Sequence, residues 1–97
     1  MASADQQIDD GTFRVTKWTI PPGDEIPRHT HEFDYVVVPL VDGVMHVVSA
    51  DGSEAAAEIR VGQSYARQAG ADHTVANRGT EVIEFVEIER LVPAPPV

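Results

Sequence analysis

Apolar and polar positions alternate with period two along most of this chain, in short runs broken by Gly, Pro and Asp. That period sends successive side chains to opposite faces of a strand. The runs are rich in Val, Ile, Phe, Tyr and Thr, and they predict strands over 12–20, 26–31, 35–41, 44–50, 54–61, 64–68, 73–77 and 81–91. Asp42-Gly43 and Asp51-Gly52 read as hairpin turns, because Gly accepts the positive φ that tight turns demand. Ser53-Glu-Ala-Ala-Ala-Glu58 has good helix formers, but it is too short to hold a helix alone and leads into Ile59-Arg-Val61. It is expected to be strand. Eight strands with short turns predict an all-β fold, a closed barrel or sandwich forming one domain over 11–91. Residues 1–10 are polar and are expected to fray. The Pro-rich segment 92–97 cannot pair in a sheet and is expected to be an extended tail.

The chain has 97 residues and a hydrophobic share of 42%, so its core is small and a partner copy would bury more apolar surface. The segment 82–88 is apolar on both faces, as a strand between core and partner would be, and a homodimer is expected. With no cysteine, disulfides and thiolate metal sites are excluded, and any ion must sit on nitrogen and oxygen ligands. A net charge of −9 without a basic stripe excludes a nucleic-acid partner. No apolar run approaches the ~20 residues a bilayer-spanning helix needs, so no membrane partner is expected. The first residues, Met1-Ala-Ser-Ala-Asp, lack the basic and apolar regions of a secretory signal, and a cytoplasmic protein is the default.

Candidate chemistry lies in the histidines. His29 and His31 are two apart on a predicted strand and look off one face, and His73 comes from another strand. Imidazole is the commonest side-chain metal ligand, and three would make a site with positions open to water or substrate. His46, in Val44-Met-His-Val-Val48, has no such company and reads as a packed or surface histidine.

The spacing is more specific than the histidines. Gly23, five residues, His29, one residue, His31 and then Gly43 resemble the first half of the cupin motif. Gly62, five residues, Gln68, one residue, Gly70, two residues, His73, three residues and Asn77 resemble its second half. The segment from His29 to Leu40 is further similar to short single-domain cupins, some of them named for β-alanine degradation. The resemblance implies a double-stranded β-barrel, or jelly roll, with a metal near one mouth held by His29, His31 and His73.

Two positions depart from the pattern. Gln68 stands where the family has proline. Tyr35 and Val36 stand where it places a glutamate, the usual fourth ligand. Three arrangements follow: a neutral three-histidine site, an oxygen supplied by Asp34 or Glu32, or a site that has lost its metal. Three imidazoles suit Zn, Fe, Ni or Cu, whereas added oxygen ligands favour Mn, Mg or Fe. Fe or Zn is the expected occupant.

Gly23 and Gly70 are read as turn residues where a Cβ would clash, and Asn77 as a tie between backbones at the barrel rim. Glu32, Glu84 and Glu87 are candidates to orient the imidazoles. Val36, Val38 and Leu40, with Val75, are expected to wall a narrow chamber, with Tyr35, Val38 and Arg67 as substrate contacts. Arg28 and Arg67 are two of only seven cations, and an arginine at the mouth would fork onto a carboxylate. The expected function is metal-dependent chemistry, oxidative as a first class, on a small carboxylate-bearing metabolite. The alternative is a non-catalytic cupin that binds or senses a small ligand.

Overall fold

The structure, a computed structural model, describes residues 1–92, and the expected tail therefore falls mostly outside the described residues. Nine strands make two sheets. They are β1 Ser3–Asp9, β2 Phe13–Ile20, β3 Glu25–Thr30, β4 Tyr35–Pro39, β5 Gly43–Ser49, β6 Glu54–Ile59, β7 Tyr65–Arg67, β8 Asp72–Ala76 and β9 Ile83–Arg90. A five-stranded sheet runs β1-β2-β9-β4-β7 and a four-stranded sheet runs β3-β8-β5-β6. No helix among the described residues is long and apolar enough to cross a membrane.

The inner faces of the two sheets supply the core, in which Ile20, Ile26, Val37, Ile59, Ile83 and Phe85 are all buried. The Ala-rich segment lies in β6, paired with β5 from Val44 opposite Glu58 to Val48 opposite Glu54. Pairing with a neighbour decides that contest, since an isolated turn of helix this short has no cooperative support.

The amino-terminal segment differs from expectation. Residues 3–9 do not fray but add β1 to the edge of the larger sheet, with Ser3 opposite Thr19 and Ile8 opposite Val15 across a register shift. Its side chains are exposed throughout, so hydrophobic alternation carries no signal there. Backbone pairing alone makes the strand.

β4 corrects a second expectation. Tyr35, Val37 and Pro39 point into the core, whereas Val36 and Leu40 are exposed and Val38 lies on the outer side with Val36. Every residue from Tyr35 to Val38 is apolar, so the alternation does not say which face is inward. Pairing settles it: Val37 lies opposite Glu87 on β9 and opposite Tyr65 on β7. On the outer face, Ile8, Val15, Ile88, Val36 and Ala66 fall in one cross-strand row over all five strands.

Candidate metal centre

His29 and His73 lie directly opposite each other on β3 and β8. A register shift between Ile26 and His29 resets the alternation of β3 so that His29 meets its partner. His31 comes just after the end of β3, where regular pairing would no longer hold it. There its amide donates to the Ala71 carbonyl at 2.8 Å, and its own carbonyl accepts from the Gly70 amide at 2.8 Å. Gly70 makes this turn at φ +100°, with nothing within 4 Å of a built Cβ. The glycine is therefore needed for its backbone conformation rather than for space, and Gly23 at φ +82° is the same case.

The three side chains converge. His29 Nε2 lies 3.0 Å from His31 Nε2, which lies 3.1 Å from His73 Nε2. The three ligand atoms all fall within 4.8 Å of one another. Nitrogens bonded at about 2.1 Å to one ion and set at right angles lie about 3 Å apart, which the two spacings that share His31 match. The tautomers agree. His29 Nδ1 lies 2.8 Å from the Pro27 carbonyl, which only an N–H can satisfy, and this leaves the Nε2 lone pair free. Burial first, then the neighbouring His29 and His73, pushes the His31 pKa down to about 4, and burial with His29 lowers that of His73. Both imidazoles are thus held in the neutral, ligating form.

The missing family glutamate has a structural substitute of a different kind. Tyr35 stacks on His31 with ring centroids 3.9 Å apart and planes 18° apart. Asp34 supplies no oxygen to the cluster: it accepts from the Ala69 amide at 2.8 Å and from Arg90 at 2.9 Å. Glu32 is exposed, and Glu84 pairs with Lys17 at 3.0 Å. Of the three glutamates considered, Glu87 faces the site, with Oε1 at 4.0 Å from His31 Nδ1. Burial, then Glu89, pushes its pKa up to about 7.

A cavity of about 200 Å³ opens onto these groups, lined among others by His29, His73, Tyr35, Tyr65, Arg67 and Glu87. Val75 lines it as expected, but Val38 and its outward neighbours Val36 and Leu40 do not, and Val37, Met45 and Val47 take the wall instead. His46 alternates with those last two on β5 and points away from the cluster, its buried Nδ1 without a hydrogen-bond partner. Asn77 ties backbones as expected: Nδ2 donates to the carbonyls of Ile20 and Glu81 at 2.8 Å each. Arg28 is excluded as a ligand anchor by its bidentate pair with Asp72, both contacts 2.9 Å.

Comparison with known families decides the lineage, since the Cupin domain family matches residues 16–89. The chain belongs to the cupin family. This cupin is 42% identical over 83 residues to the Beta-alanine degradation protein BauB of Pseudomonas aeruginosa, covering 86% of each chain. Among solved structures it is similar to a cupin domain from Bordetella pertussis Tohama I, with TM-score 0.88 and 38% identity over 92% of both chains. A RmlC-like cupin family protein from Methanocaldococcus jannaschii shares the fold at TM-score 0.77 and 12% identity, over 93% of this cupin and 80% of that chain.

Proposed function

We propose that this cupin holds one divalent ion, Fe or Zn, on His29, His31 and His73 and uses it to transform a small metabolite. The convergence of three Nε2 atoms carries the reading: burial favours the neutral form of His31 and His73, and the bond from His29 Nδ1 to the Pro27 carbonyl turns its Nε2 toward them. With Fe as the occupant, the first reaction class is dioxygenation, in which both atoms of O2 would enter the product and no separate reductant would be consumed. Zn would restrict the chemistry to Lewis-acid steps. The ion, when bound, supplies Lewis acidity and, if redox-active, electron transfer. The chain supplies the rest. Pro27 fixes the His29 tautomer, and Tyr35 holds the plane of His31. The apolar walls exclude bulk water, and Glu87 is the carboxylate on the cavity wall able to hold or pass a proton. Similarity to BauB supports a place in β-alanine degradation.

Element-resolved metal analysis tests the reading. The expected result is near one Fe or Zn per chain, lost in His29→Ala and in His73→Ala. A wild-type protein that stays metal-free after reconstitution would overturn it. A second reading, a non-catalytic cupin that binds a small ligand, is favoured by Tyr35 and Val36 standing where the family has glutamate. Metal-dependent ligand binding without turnover in air would support that reading instead.

We also infer a homodimer, with the outer apolar row of the five-stranded sheet covered by a second copy. Ile8 and Val36 in that row are 47% and 36% exposed, in a chain too small to spare apolar surface.

A further inference from the structure

The charge pairing of this molecule has one exception. Of seven Lys and Arg side chains, six lie against a carboxylate: Arg14, Lys17, Arg28, Arg60, Arg78 and Arg90. Arg67 is the cation without an acidic partner among the described residues. This is notable in a chain with 16 Asp and Glu, where carboxylates outnumber cations more than twofold. It is also the one Lys or Arg on the wall of the cavity that holds His29 and His73.

Its environment prepares it rather than neutralises it. The guanidinium carbon sits 4.6 Å from the centroid of the Tyr65 ring, which sets the plane of the fork. Nη1 donates to the Ala66 carbonyl at 2.9 Å, and the other N–H groups have no protein acceptor among the described residues. Arg67 lies opposite Tyr35 on β4, and Tyr35 is stacked on His31. The arginine and His31 are thus both direct neighbours of one tyrosine.

We infer that Arg67 is the anchor for the carboxylate of a short monocarboxylate ligand whose other end reaches toward the histidine cluster. This rests on the metal-site reading for the identity of the reacting end, but the anchor itself does not need the ion. Size sets the first limit. A cavity of about 200 Å³ is small for a ligand site, which favours a ligand with a chain of a few carbons. Charge sets the second. The other ionisable wall residue besides the histidines and tyrosines is Glu87, which disfavours a second carboxylate at that end. A planar fork with free N–H groups fits a carboxylate in two-point contact, which lysine cannot reproduce.

The test is an NMR amide titration at pH 8 with propionate, propionamide and propylamine, on protein as purified and after chelation, with metal content measured alongside. Propionate is expected to shift the amides around Ala66 and Arg67 in both preparations, with propionamide and propylamine binding at least about tenfold more weakly. Arg67→Gln should weaken propionate about tenfold or more, Arg67→Lys should restore only part, and Arg60→Gln on the remote surface should leave it unchanged. Metal content should be the same in all of these variants. Equal propionate affinity in Arg67→Gln, or no preference for propionate over the neutral amide, would overturn the anchor while leaving the metal site standing. Propionate binding that vanishes on chelation yet survives Arg67→Gln would assign the carboxylate to the ion instead, and would equally overturn it. Absence of metal from wild-type protein counts against the metal reading alone.

Discussion

Tyr35 lies almost parallel to His31, with planes 18° apart and centroids separated by 3.9 Å. Of Tyr35 and Val36, the two residues at the family's glutamate positions, the inward one therefore still acts on the cluster, by packing on the His31 ring instead of offering an oxygen. It is also part of the core, at 5% exposure.

Truncating that ring removes both roles. Tyr35→Ala is expected to lose about 3 kcal/mol of stability by urea unfolding, the cost of a large buried side chain and its residual cavity. Zinc affinity should fall in the same variant, measured by competition with a chelating dye. Tyr35→Phe keeps the stack and should stay within about 1 kcal/mol with unchanged affinity. A Tyr35→Phe variant as damaged as Tyr35→Ala would show that the hydroxyl, not the ring, carries the effect.

The pair His31 and Glu87 predicts an unusual pH response of the metal-free protein. Burial lowers the His31 pKa from 6.5 to about 4, so between these values the unfolded chain binds a proton that the folded one refuses. That term removes stability as pH falls through the window. Burial raises the Glu87 pKa from 4.5 to about 7, so here the folded chain holds the proton that the unfolded one has lost. That term adds stability as pH falls. Between pH 6.5 and 4.5 the two oppose each other. Glu87→Gln, which lacks the opposing carboxyl, should lose about 2 kcal/mol more than wild type across the same span. Parallel wild-type and Glu87→Gln stability profiles would refute the opposition.

Asn77, at 2% exposure, satisfies carbonyls on either side of it and accepts from the Gly79 amide at 3.0 Å. Asn77→Ala strands two carbonyls and one amide, at a cost of about 3 kcal/mol. Thermal unfolding should report that loss, with metal content in the folded fraction unchanged. Loss of metal from folded Asn77→Ala would mean the rim and the site are coupled.

The outer row predicts association. Light scattering at micromolar concentration should give twice the chain mass, and Val36→Asp with Ile88→Asp should return it to one chain without unfolding it. A wild-type mass of a single chain would reject the dimer.

Much of this was legible because the signal was local. The turn dipeptide Asp51-Gly52, which joins the paired β5 and β6 with Gly52 at φ +86°, and the spacing from Gly23 to His31 are kept by the structure. Asp42-Gly43 makes no hairpin, since β4 and β5 lie in different sheets and Gly43 opens β5 without a positive φ. What failed to show depends on partners distant in the chain. β1 is exposed along its whole length, its Ile8 included, and pairs because β2 offers an edge. The inward face of β4 is set by Glu87 and Tyr65, each more than twenty residues away, so the chamber wall was read one residue out of phase. The different fates of Arg28 and Arg67 follow from where Asp72 lies, which no spacing along the chain reveals.

His31 is clamped through both of its own backbone groups to the turn at Gly70 and Ala71. A side chain held in that way faces His29 and His73 without any movement of main chain, so an ion bound there would ask for no rearrangement of the backbone. Loosening that turn, rather than altering any imidazole, is the change that would make the centre leaky while leaving its donor set intact.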